Sequence, residues 1–131
     1  MKAIDTNVLV RFLVQDDEAQ TRIATQFLIN AEEEKQPLFV SNVAVLELMW
    51  VLKSLYGVSR DDILLSLGEL LSMVALEFQD QLNVRNFITS AQDNSYDLAD
   101  LLIAQVALGE GCETTLTFDK KAAKSAFFTQ L

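Results

Sequence analysis

Glu47 and Asp100 are the residues whose surroundings most call for a chemical explanation. Segment 43–52 reads VAVLELMWVL and segment 98–108 reads LADLLIAQVAL, so each sets a carboxylate into an apolar stretch of helical character. On a helix, Glu47 neighbours Val43, Trp50 and Val51 one turn away. A carboxylate enclosed by such side chains loses much of its hydration, a cost large enough to demand compensation. A buried base, protonation or a bound cation can supply it. Neither helix carries Lys or Arg three or four residues from its acid, and the first base after Glu47 is Lys53. The plainer reading of each acid is a gap in the packing that opens onto water. Two such gaps in one chain strain that reading.

Asp5 and Asp119 are expected at the ends of strands, where an Asp is commonly just the cap of the next helix. In open parallel sheets, however, sites form outside the carboxyl ends of the strands. Asp97 lies one turn before Asp100 and can share its face, although it also stands where a helix cap belongs. The acid runs 16–18 and 32–34 read as caps and solvated helix surface.

If Asp5, Glu47, Asp100 and Asp119 converge, they form a hard oxygen pocket suited to Mg²⁺ or Mn²⁺. One or two ions there lower the pKa of a bound water and hold a phosphodiester for in-line attack; paired ions sit about 3.5–4 Å apart. The chain has no histidine. That removes Ser-His-Asp and Cys-His catalysis, the paired-histidine route to RNA cleavage, and nearly all zinc sites. Carboxylate-held metal is the phosphodiester chemistry the composition leaves fully available.

The elements that must position these acids alternate. Lys2–Asp5 reads as a strand and Val8–Val14 as helical, followed by an amphipathic helix from Asp17 to Glu34 with Ile23, Phe27 and Leu28 at helical spacing. Leu38–Ser41 is a second strand. Asn42 then caps a helix to Tyr56, which Gly57 closes. Ser59 with Asp62 starts a helix to Met73, Val74–Phe78 is a third strand, and 81–92 and 98–109 are helices. Thr114–Phe118 is a fourth strand, after which Asp119 opens a lysine-rich last helix. Any fifth strand in 127–131 must be very short. This order predicts an α/β fold, a three-layer α/β/α sandwich around a central parallel sheet.

With 131 residues, half of them apolar, one proline and four glycines, the chain is expected to form a single compact domain, residues 1–131. Its formal net charge of -9 argues against gripping phosphates with Lys and Arg alone. It leaves open a binder whose positive charge is a metal ion. One cysteine, Cys112, excludes an internal disulfide and fits a reducing cytoplasm. Asp5 and Arg11 interrupt the apolar start, so neither a signal peptide nor a membrane span is expected.

Four segments carry a resemblance. Ala3-Ile4-Asp5-Thr6-Asn7-Val8-Leu9, Val45-Leu46-Glu47-Leu48, the run from Asp97 to Ala104, and Thr117-Phe118-Asp119-Lys120 look like the successive motifs of PIN-domain proteins. They are most similar to VapC-like toxins of bacterial toxin–antitoxin pairs. The likeness spans the chain, and four weak motifs in order are highly specific. It implies a Mg²⁺- or Mn²⁺-dependent endoribonuclease with a catalytic set of Asp5, Glu47, Asp100 and Asp119. Asp97 is a further candidate metal ligand, and Thr6, Asn7 and Thr117 are implied hydrogen-bonding support. It also implies an RNA substrate, a homodimer and a cognate antitoxin that occludes the site. Arg11, Lys120, Lys121 and Lys124 flank the motifs and are candidates for RNA phosphate contacts; solvated surface lysines are the plain alternative.

Other readings differ in what they require. An aspartyl phosphatase of the haloacid-dehalogenase type wants a second Asp two residues after Asp5, where Asn7 stands. A receiver domain needs an acidic pair at the first strand end and a phosphoacceptor Asp at the third; neither is visible. A catalytically inactive, protein-binding scaffold on the PIN fold has no physical reason to keep four such acids.

Overall fold

The computed structural model describes residues 1–131. The chain forms two compact units, Met1–Gln81 and Leu82–Leu131. Every strand pairing in it is parallel, and the class is α/β as expected.

The first unit is built on βαβ logic. Residues 2–4 run alongside β1 (Leu38–Val40), with Ala3 bridged to Phe39 and hydrogen bonds from Ile4 N to Phe39 O and from Phe39 N to Lys2 O. The predicted first strand is thus reduced to one bridge. β1 pairs with β2 (Leu76–Phe78) in the register Leu38↔Leu76, Val40↔Phe78. Two helices cross from the first segment to β1, and two more from β1 to β2.

α1 (Thr6–Val14) buries Leu9 and Val10 and stops at Gln15, whose left-handed backbone returns its N–H to Arg11 O. α2 (Glu18–Glu33) is capped by Asp17, which accepts from Gln20 N. Its core stripe is Ala24, Leu28 and Ala31, spaced one turn apart. Of the three residues read at helical spacing, Leu28 is buried, while Ile23 and Phe27 lie on the exposed neighbouring stripe.

α3 (Asn42–Ser54) is capped by Ser41 rather than Asn42. Ser41 is the residue with extended backbone, and its Oγ accepts from Ala44 N at 3.0 Å. Ser41→Ala is expected to lower stability by about 1 kcal/mol, measurable by urea unfolding; an unchanged midpoint would show that the bond contributes nothing. Gly57, at φ 61, closes the α3 end in the left-handed region where a side chain is strained. α4 (Arg60–Leu71) starts as predicted, with Ser59 Oγ accepting from Asp62 N. It buries Ile63, Leu64, Leu67, Leu70 and Leu71.

The second unit opens with α5 (Gln81–Ala91), which buries Asn83, Val84, Phe87 and Ala91. α6 (Leu98–Gly109) buries Leu101, Leu102, Ala104 and Gln105. β3 (Thr115–Thr117) pairs with β4 (Phe128–Gln130), the short last strand. The lysine-rich helix expected after Asp119 is only a three-residue 3₁₀ turn, Ala122–Lys124. Too few residues separate β3 from β4 for a longer helix. No helix is long and apolar enough to cross a membrane.

Candidate functional site

Three of the candidate acids share one local design. Asp5 caps α1, with Oδ1 accepting from Thr6 N at 2.7 Å. Asp97 caps α6, with Oδ2 accepting from Asp100 N at 3.0 Å. Asp119 follows β3, and its Oδ1 accepts from Lys121 N at 2.8 Å and Ala122 N at 3.0 Å. In each case one carboxylate oxygen is anchored to a helix or turn start, which orients the group. The other oxygen takes no protein donor. Capping and ligation are therefore compatible roles, since the cap uses one oxygen of two.

Asp100 differs. It sits in the first turn of α6, is half-buried, and has no hydrogen-bond donor to its carboxylate. Burial pushes its carboxyl above the ordinary carboxylate range, and the negative charges of Asp97 and Asp119 push it further. Asp100 thus feels the charges of both Asp97 and Asp119 within the second unit. No ion pair joins Asp97, Asp100 or Asp119 to a base; Arg11 pairs with Asp16 and Arg22 with Glu18.

Glu47 is on the exposed face of α3, with Val43 73% and Trp50 61% exposed beside it. The expected enclosure of this acid is wrong. The core of α3 is Ala44, Val45, Leu48, Met49 and Leu52, and an almost wholly apolar helix hides which of its faces is wet. No group of three or more acids or cysteines stands close enough together to hold a metal ion. The available donor set is nevertheless the right kind: unpaired carboxylate oxygens under mutual repulsion. Mg²⁺ is commonly held by one or two carboxylates with water completing its shell.

The supporting residues divide. Thr6 is buried and serves Asp5 through its backbone N–H. Thr117 Oγ1 accepts from Asp119 N at 3.0 Å, fixing the turn that presents Asp119. Asn7 is exposed and lines, with Asp5, Arg11, Ile23 and Phe27, an open groove of about 440 Å³ in the first unit. Lys120, Lys121 and Lys124 are exposed and form no ion pair.

Arg11 is engaged elsewhere. Its Nη1 donates to Asp16 Oδ1 at 2.7 Å and to Tyr56 OH at 3.2 Å, and its Nε donates to Gln20 at 2.7 Å. Tyr56 OH in turn donates to Asp16 Oδ2 at 3.0 Å. Asp16 and Tyr56 were not among the expected residues, and nothing in the local sequence signals a partner so far along the chain. The Tyr56 hydrogen bond and the Arg11 guanidinium hold the Asp16 carboxyl below its ordinary value. A lowered carboxyl contributes stability above the ordinary carboxylate range and loses it as pH falls through its own pKa. Tyr56→Phe should therefore melt slightly below the wild type at neutral pH and level with it in strong acid. A melting difference that persisted in strong acid would assign Tyr56 a packing role instead.

A family model described as PIN domain matches residues 2–127, running through both units. No curated protein and no solved structure gives a match.

Proposed function

Because the chain belongs to the PIN domain family, whose members are in general metal-dependent nucleases, we propose that it is a Mg²⁺- or Mn²⁺-dependent endoribonuclease. The observation that carries this reading is the set of uncompensated carboxylates around Asp100. A cation neutralises like charges that the protein leaves unopposed.

In this reading Asp5, Glu47, Asp100 and Asp119 are the catalytic acids, with Asp97 a further ligand, and residues 1–131 work as one domain. A bound divalent ion would supply Lewis-acid activation of water for attack on the phosphodiester. The chain's own part is positional. Backbone N–H groups hold one oxygen of Asp5, of Asp97 and of Asp119, and in each the other oxygen takes no protein donor. Thr117 keeps the Asp119 turn in place. Lys120, Lys121 and Lys124 attract RNA phosphates that the net charge of -9 otherwise repels. Arg11 braces α1 through Asp16 and Tyr56.

The four ordered motifs further support a toxin of a toxin–antitoxin pair: a cytoplasmic homodimer held inactive by a cognate antitoxin protein. The open groove beside Asp5, lined by Ile23 and Phe27, is an apolar surface that such a partner can cover.

The test is cleavage of total and transfer RNA by the purified protein with Mg²⁺ or Mn²⁺, with and without EDTA. Cutting that EDTA abolishes is the expected result. No cutting with either metal, from folded protein free of any partner, would favour the inactive protein-binding scaffold.

A further inference from the structure

Phe118 is 81% exposed, as much as Met1 and more than any other large apolar side chain in the chain. A lone exposed apolar residue is ordinary. The setting of Phe118 is not. It stands between Thr117 and Asp119, in a turn that side chains pin from both sides. Thr117 Oγ1 holds the N–H of Asp119, and Asp119 Oδ1 holds those of Lys121 and Ala122. Leu131 N donates to Thr117 O at 2.9 Å, fixing the strand just before the ring. The phenyl group therefore stands on an ordered support and loses little freedom on binding a flat partner. Three of the chain's ten bases, Lys120, Lys121 and Lys124, follow within six residues, and none is ion-paired.

An exposed ring among unpaired cations suits a ligand that is both planar and anionic. We propose that Phe118 is a stacking platform for an unpaired RNA base next to the phosphate held by the neighbouring lysines. This deepens the nuclease reading and rests on it. Any base offers a π-face, so the contact tolerates sequence. A base inside a duplex has its faces covered by its neighbours, so the preferred substrate presents single-stranded RNA or a loop. Phe118 is then a substrate-positioning residue beside the acid Asp119, with no role in the bond-breaking step.

The test uses the full chain in two arms. In the first, Trp50, the single tryptophan, is replaced in W50F/F118W, making position 118 the only indole. Its fluorescence is followed in EDTA as a short single-stranded RNA, the same RNA as a duplex, or inorganic polyphosphate is added. Quenching by the single strand, with little change from the other two, is the expected result. In the second arm F118A should weaken single-strand binding and raise KM by about 10-fold or more, with kcat kept and F118Y close to wild type. Equal binding and KM in F118A would overturn the proposal while leaving the nuclease reading intact. A wild type that cuts nothing would overturn the nuclease reading, and the fluorescence arm would still decide whether Phe118 meets RNA. If F118A changes only the size of the protein in solution, the ring serves a protein contact and the proposal fails.

Discussion

Asp100→Asn is expected to lower metal-dependent RNA cutting by more than about 100-fold, beyond the loss typical of removing a group that merely supports a metal ligand. The same variant should melt higher than the wild type at neutral pH without metal. Both effects have one cause. Asp100 is half-buried, and its charge is opposed by burial and by Asp97 and Asp119. Asparagine keeps the shape and removes the charge. The pH dependence has a definite sign. Well below the ordinary carboxylate range Asp100 is protonated in folded and unfolded chains alike, and the two proteins should melt together. As pH rises past that range the unfolded chain ionises more readily, so the wild type loses stability that the variant keeps. Added Mg²⁺ or Mn²⁺ should then restore the wild type by mass action and leave the variant unmoved. Thermal melts across pH, with and without metal, check all three. A variant that melts below wild type throughout would mean the Asp100 carboxylate is structural.

Gly109→Ala is expected to destabilise the protein by about 1–3 kcal/mol, the cost of forcing added volume into a packed site. Gly109 ends α6 against Asn83 of α5, and a Cβ there would fall on the Asn83 amide, 2.6 Å from Oδ1 and 2.8 Å from Cγ. Asn83 is buried and has an interaction of its own, which a shift of its amide would disturb. Helix propensity alone would predict the opposite, since alanine is the better helix former by about 1 kcal/mol. Urea unfolding separates the two. A variant more stable than wild type would show that Asn83 moves aside without loss.

The helices were largely legible in the sequence because their starts and stops are chemical. Asp17, Ser59 and Asp97 cap where a polar residue precedes an apolar run, and Gly57 takes the left-handed turn expected of it. The parallel strands were legible from the alternation of elements. What failed lies where local signals are degenerate. Ser41 and Asn42 are equally good caps, and backbone direction chose Ser41. The apolar residues of α3 surround its axis, so the sequence could not tell that Val43, Glu47 and Trp50 face outward. The smaller Ala24 and Ala31 take the buried stripe of α2 with Leu28, and the larger Ile23 and Phe27 stay exposed. Of the candidate acids, Asp5, Asp97 and Asp119 stand at the cap positions the sequence led one to expect. The bracing of Arg11 by Tyr56 depends on residues distant in the chain, and no local pattern reports it.

The proposed function requires that these carboxylates hold the metal that cuts RNA. Its most direct test is the rate of RNA cleavage against Mn²⁺ concentration for the wild type and Asp5→Asn. Asparagine is as good a helix cap as aspartate, so the variant keeps the start of α1 and loses only the charge. The expected result is a rate that rises with Mn²⁺ and saturates for the wild type, and no metal-dependent rate for the variant. A variant that cuts as fast as wild type at the same Mn²⁺ would contradict it.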